Sequence, residues 1–407
     1  MSRTLACALA LYLSISSSTY GASFSLVPDA LGGHFWDVLR LSSDGRTFFG
    51  VSHGPVQEVF RWTADEGYVV TGIVPSEIRS LPVLPTGISE DGQTVIGGTR
   101  DLTYPTTGFR WTAETGLVEI SPPAGFGFFA GPMAMSPDGS VIVGVTKSGF
   151  TTEFDGTPFR WTEATGAVPI DLPGRPNAVS ADGTTVVGSM TIHDTSVFPP
   201  KANYFGYRWS PNGVDNVGHM QDSWQPFSEA TLVSADGKVV AGYGFPPDAR
   251  IGPQHFRWTA ETGMQHLGML GDSAEAIGMS PDGSVIIGRF ISLIPEADRF
   301  ATRIQPYVWT AEAGLRTLHE VLTSLDVAED TWFGDYNTSH YIHAVSPNGQ
   351  FIFGASARSS AAYYDQRFID AERWWIVDLA PVPEPSTAVL AALGTLVLAG
   401  RRTRRSG

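Results

Sequence analysis

Lysine is nearly absent from this chain: Lys147, Lys201 and Lys238 are the only three in 407 residues. With 26 Lys plus Arg against 41 Asp plus Glu, the net charge is −15. Neutralising phosphates needs a basic face, so nucleic acid is excluded as a partner. Cysteine occurs once, as Cys7 near the N-terminus, which rules out a disulfide scaffold and a cysteine-based metal site. Charged residues make up only 16% and aromatics 11%, the opposite balance to a disordered chain. The apolar runs at the two ends are short of the ~20 residues that a full membrane span needs. No Gly-rich phosphate loop, nucleophile elbow or His-Glu-x-x-His pattern occurs, so no cofactor is indicated.

What is present begins with two address segments. Arg3, an apolar stretch from Leu5 to Ile15, and the small residues Gly21 and Ala22 read as a secretory signal peptide over residues 1–21. At the other end, Pro383-Glu384-Pro385 precedes an apolar run from Thr387 to Gly400, closed by four arginines between Arg401 and Arg405. A basic end stays cytoplasmic, so residues 381–407 predict a short membrane helix holding an exported body outside. The same three parts in the same order resemble the PEP-CTERM sorting signal. That resemblance implies processing by an exosortase-type enzyme, with passage from the inner membrane to the cell surface or extracellular matrix.

Between them lies one unit repeated seven times. Ser-x-Asp/Asn-Gly starts at Ser42, Ser89, Ser136, Ser180, Ser234, Ser280 and Ser346. A second motif, aromatic-Arg-Trp-Thr or a variant, places a tryptophan at Trp62, Trp111, Trp161, Trp209, Trp258, Trp309 and Trp374. Asp-Gly is a tight hairpin signal, and an apolar run follows each one. Each unit therefore predicts four short antiparallel strands, with hairpin turns at Ser-x-Asp-Gly and Glu-Thr-Gly. Runs such as Val141-Ile142-Val143 are apolar on both faces and must be covered on both sides. Radially stacked blades provide that cover. The seventh unit lacks a clear fourth strand, while Ser23–Val27 precedes the first. The fold expected for residues 22–380 is all-β: a seven-bladed β-propeller closed by its N-terminal strand.

The units resemble the HAF repeats of secreted bacterial proteins. Ser-x-Asp-Gly with Val-Ile-x-Gly, and Phe-Arg-Trp-Thr with Glu-Thr-Gly, carry the resemblance over about residues 35–378. Val308 departs from the repeated Arg, and Asn348 from the repeated Asp. The resemblance implies no enzymatic activity.

Candidates for chemistry are few. The repeated Asp residues fit turn chemistry better than catalysis, because a turn accepts Asn348 and a general acid does not. The Arg-Trp pairs fit packing between blades, with Arg over an aromatic face, better than a sugar-stacking array. His340-x-x-His343 near Asp335 is a poor metal site on a strand, where i and i+3 face opposite ways. Glu329, Asp330 and Asp335 are carboxylates in an insertion. Both hairpin turns fall on one face of the disc, so the long connections fall on the other: 191–207, 219–230, 245–255, 290–305 and 316–342. The last predicts a short helix with Leu318, Val321, Leu322 and Leu325 on one side. Variable loops on a rigid scaffold are where binding residues concentrate. Tyr204, Trp224, Phe227, Trp332, Phe333, Tyr336 and Tyr341 are the aromatic candidates there, either for binding or for sealing blade ends. Three functions stay open: binding a polysaccharide or surface protein, hydrolysing or lysing an extracellular glycan, and a purely architectural role.

Overall fold

The computed structural model describes residues 22–27, 37–51, 59–63, 65–70, 77–78, 81–99, 108–126, 128–147, 156–194, 196, 201–248, 250–295, 300–327, 338–357 and 373–379. They form seven antiparallel sheets, the blades of a β-propeller, with one short helix. Blades 1 to 6 span 37–70, 77–120, 128–169, 174–218, 228–266 and 273–317. Blade 7 joins 339–378 to the N-terminal strand, and the blade 2 sheet carries a fifth strand at Glu77–Ile78. The first long strand of each blade touches its counterparts in both neighbouring blades, and the contacts run unbroken around the ring. Closure follows the expectation. Ser23–Val27 pairs antiparallel with Arg373–Asp378 from Ser23↔Asp378 to Val27↔Trp374.

The Ser-x-Asp-Gly turn is built identically seven times. The Ser hydroxyl donates to the Asp or Asn348 Oδ1 at 2.5–2.8 Å. That oxygen also accepts the backbone N–H two residues on, as in Lys238 N–H to Asp236 at 3.1 Å. The Ser oxygen accepts the N–H five residues on, as in Val239 N–H to Ser234 at 2.9 Å. The glycine has φ near +70°, which only glycine adopts without cost. It also lies against the preceding blade. A Cβ on Gly183 would sit 2.3 Å from Val141, and one on Gly237 2.2 Å from Thr185.

The Arg-Trp dipeptide works across the same boundaries. Adjacent strand residues point to opposite faces. Trp161 and Trp258 therefore bury their rings against the preceding blade, beside Phe109 and Val187 respectively. The arginines face the following blade instead. Arg160, Arg208 and Arg257 donate Nε–H to the carbonyls of Gly183, Gly237 and Gly283, at 2.8, 2.6 and 3.1 Å. The cation–π arrangement expected from sequence occurs with Arg110, 5.9 Å from the ring centre of Trp161. The dominant arginine partner is thus a turn carbonyl of the next unit. At the closure, Trp62, Phe48, Phe353 and Trp374 stack in sequence, with centroid separations of 4.6, 4.5 and 5.6 Å. Asn348 adds a bond that Asp could not, donating Nδ2–H to the Ser43 carbonyl of blade 1 at 2.8 Å.

Two segments expected as loops are strands. Val186–Asp194 pairs with Lys201–Ser210, and Val285–Pro295 with Phe300–Thr310, so blades 4 and 6 extend as two-stranded ribbons. The reason is backbone pairing that continues past the blade body, in blade 6 even across Pro306 opposite Arg289. The helix matches its expectation. α1 (Leu318–Ser324) starts at a Thr317–Glu320 capping box and buries Leu318, Val321 and Leu322. Residues 1–21 and 381–407 lie outside the described residues.

Gly183→Ala and Gly166→Ala separate the two demands on glycine, because both have positive φ but nothing lies within 4 Å of Gly166. Left-handed strain alone costs Gly166→Ala about 1–2 kcal/mol. Gly183→Ala should lose a further ~1–3 kcal/mol from overpacking, read by urea denaturation. Equal losses would show that contact with the preceding blade carries no weight.

Several turn carboxyls contribute to the acid limit. Hydrogen bonds from Ser42, Ser180 and Ser280 hold Asp44, Asp182 and Asp282 below the ordinary value. Lys238, with further donors, brings Asp236 to about 2. A depressed carboxyl stabilises the fold above its unfolded pKa, about 3.9, and that gain is lost as pH falls through the folded value. Urea midpoints should stay level from neutrality to about pH 5 and drop below it. Asp236→Asn should flatten the drop; an unchanged acid limb in that variant would disprove the assignment.

Candidate functional site

The long-connection face carries a run of five aromatic rings at the boundary of blades 4 and 5. Tyr204 comes from the third strand of blade 4, and its backbone forms an isolated bridge with Phe227. Phe227 lies 6.4 Å from Tyr204, 6.0 Å from Tyr243 and 5.5 Å from Phe245, measured between ring centres. Trp224 completes the run 5.0 Å from Phe245 and is 45% exposed. Local backbone explains its position. Asp222 takes φ +56°, and Trp224 N–H reaches the Pro246 carbonyl.

Of the sequence candidates, Tyr204, Trp224 and Phe227 are thus brought together. Trp332, Phe333 and Tyr336 lie outside the described residues. Tyr341 corrects the expectation of an exposed ring. It is 5% exposed and packs with Ile304 and Ala357, sealing the junction of blades 6 and 7. Sequence reasoning missed Tyr243 and Phe245. Their signal was position: both sit where the apolar second strand of blade 5 gives way to its long connection.

Beneath the rings is a buried polar clamp that nothing in the repeat pattern announced. Glu229, 3% exposed, pairs with Arg175 of blade 4. It accepts Asn177 Nδ2–H at 3.0 Å and the Tyr243 hydroxyl at 2.6 Å. Burial, then the bond to Glu229, push the Tyr243 hydroxyl well above its ordinary pKa. A second carboxylate near this mouth, Glu275, is held by Arg289 at 2.6 and 2.9 Å.

The histidine pair separates as strand geometry requires. His340 Nδ1 bonds the Ser356 hydroxyl at 2.8 Å inside blade 7. His343 packs its ring against Trp374 and Phe353, 5.0 and 6.4 Å away, and burial lowers its pKa to about 4. Among the described residues no group of three His, Cys, Asp or Glu could hold a metal ion.

The propeller axis is itself a cavity of about 570 Å³, walled by the inner strands. Every inner strand breaks register at one equivalent position, the third residue before the turn serine. A bulge leaves one residue unpaired and re-aims its side chain. Thr86, Met133, Asn177, Thr231, Ile277 and His343 occupy six of these positions and line the cavity.

Residues 381–405 match the PEP-CTERM protein-sorting motif. That motif marks an exported protein and implies processing by an exosortase-type enzyme. No curated protein matches the chain. Among solved structures it is similar to the β-propeller domain of the Trilobed protease from Pyrococcus furiosus, at 12% identity and TM-score 0.49, covering 90% of this chain and 100% of that one. A chain of the Mitotic Checkpoint Complex is similar at 15% identity and TM-score 0.45, covering 92% and 98%. A putative TolB from Agrobacterium tumefaciens gives 14% and 0.39, covering 61% and 87%. These likenesses carry no functional argument.

Glu229→Ala would leave Arg175 without its buried partner and should cost about 3–5 kcal/mol. The double change Arg175→Met with Glu229→Leu should recover most of that loss. Urea unfolding decides; a Glu229→Ala protein as stable as the parent would remove the clamp.

Proposed function

We propose that this is an exported surface protein whose propeller binds neutral extracellular polysaccharide through the aromatic run at blades 4 and 5. Residues 1–21 act as a signal peptide. Residues 22–380 form the binding module, built of HAF-type repeats. Residues 381–407 hold the chain at the inner membrane through a short helix until an exosortase-type enzyme acts, and surface or matrix is the destination. The observation that carries the reading is Trp224, a large ring left 45% exposed on a bed of other rings. Sugars present C–H faces to such rings, and binding residues concentrate on connections held by a rigid scaffold. The arginines beside the rings are paired, Arg250 with Asp248 and Arg175 with Glu229, which argues against an acidic ligand.

A glycan hydrolase needs two carboxylates flanking one bond. Glu229 and Glu275 are each held in an ion pair with arginine, an arrangement that favours clamping over proton transfer.

The test is retention of the full-length protein on polysaccharide extracted from its own host. Trp224→Ala should weaken retention about tenfold or more, a stacking contact being worth about 1–3 kcal/mol, while the melting temperature stays unchanged. Full retention by that variant would sink the reading. Release of shorter sugars over time would move it to hydrolysis, and capture of protein alone to an assembly role.

A further inference from the structure

The hairpin that joins the third and fourth strands of blade 4 departs from its counterparts. In blades 1, 2, 3, 5 and 6 a threonine and a glycine close this hairpin with three residues between them, as in Thr112↔Gly116 and Thr259↔Gly263. The glycine there has φ between +63° and +69°. The threonine hydroxyl oxygen accepts the backbone N–H three residues on and holds the loop. In blade 4 the closing pair is Ser210↔Gly213, with only Pro211 and Asn212 between, and Gly213 takes φ +138°. A two-residue hairpin fits the twist of its strands when its first loop residue has positive φ. Proline cannot adopt that value, so this loop matches its strands poorly.

Asn212-Gly213 is also a labile pair of residues. The nitrogen of a glycine that follows Asn or Asp is unhindered and can attack the side-chain Cγ before it. The same kind of pair stands in all seven Ser-x-Asp-Gly turns, but there it is locked. The glycine N–H donates to the serine carbonyl at 2.8–3.0 Å, and the serine hydroxyl holds the Asp or Asn Oδ1. Asn348 is fixed further, since its Oδ1 accepts Gln350 N–H at 3.0 Å and its Nδ2 donates to the Ser43 carbonyl at 2.8 Å. Asn212 has none of this. It is exposed, and among the described residues its side chain has no hydrogen-bond partner. Gly213 has nothing within 4 Å of where its Cβ would stand, whereas Gly349 lies 3.0 Å from the Ser280 backbone by the same measure.

We propose that Asn212 is a site of spontaneous modification, where the chain converts its own amide to aspartate or isoaspartate. The Gly213 nitrogen bonds to Asn212 Cγ and gives up its proton, while the Cγ–Nδ2 bond breaks and ammonia leaves. Water then opens the cyclic imide at either carbonyl. One opening gives aspartate; the other gives isoaspartate, in which the main chain runs through Cβ and Cγ. Nothing is oxidised or reduced, and water is the only co-reactant. The reaction needs the end of the hairpin to open, and exposed ladder ends open at the least cost. Isoaspartate lengthens a loop that has no slack, so it loosens the outer strand Gly213–Gly218. Val217 of that strand is buried in one cluster with Ala230 of blade 5.

The test ages the folded full-length protein at mildly alkaline pH and reads each site by peptide mass spectrometry. Asn212 should turn acidic about tenfold faster than Asn348 or more, because Asn348 must first break bonds that Asn212 never makes. Hydroxylamine should cut the ageing chain between Asn212 and Gly213. In urea the two sites should convert at similar rates, since the lock belongs to the fold. Asn212→Gln, whose longer side chain would have to close a larger ring, should stop the change at this position and leave the urea midpoint of fresh protein unaltered. The proposal is overturned if Asn212 keeps its amide in the folded protein, since the hairpin then protects it. It is equally overturned if Asn348 converts as fast as Asn212 in the folded state.

Discussion

A guanidinium of one blade donating to a glycine carbonyl of the next ties blades 3 to 6 together, and the constraint beneath it, a turn glycine pressed against the preceding blade, recurs around the whole ring. Arg160, Arg208 and Arg257 make the bond in consecutive blades. It explains why the two motifs travel together. The Ser and Asp side chains fix the turn so that its carbonyl stands in one place. Glycine lets the turn close and lets it lie against its neighbour. The tryptophan beside the arginine points the other way and fills the preceding interface. Each repeat therefore takes packing from both neighbours, and a ring gives every repeat two.

Strict repetition of the frame leaves two places free to vary. One is the bulge position lining the axis, where the side chains run from Thr86 through Met133 to His343. The other is the long-connection face, with the extended ribbons of blades 4 and 6 and the rings around Trp224. The opposite face is constrained, since every Ser-x-Asp-Gly carboxylate there is already committed to its own hairpin. Specific chemistry thus accumulates where the period is broken.

The division between what could and could not be read from the sequence follows the same line. Seven blades, the closing strand Ser23–Val27 and helix α1 were legible, because turn glycines, apolar runs and capping residues act locally. The ribbons were not, since Phe198-Pro199-Pro200 and polar composition suggested loops where backbone pairing in fact continues on either side. The partner of the Arg-Trp arginine was hidden because it belongs to another repeat. Glu229 and Arg175 lie 54 positions apart and share no motif, so only the juxtaposition of blades reveals them. Tyr341 looked like a loop aromatic, but the strand Ser339–Val345 that carries it lies against blade 6.

The closing strand has a mechanical consequence. The sorting segment begins at residue 381, two positions after Leu379, so any pull from an anchored end enters the fold at Arg373–Asp378. Without closure that strand would be an edge, bonded on one side. With Ser23–Val27 in place it is bonded on both, to Phe351–Ala357 on the inner side and to the start of the chain on the outer. The N-terminus thereby acts as a splint for the C-terminus, and a load along the strand is shared by two ladders instead of one.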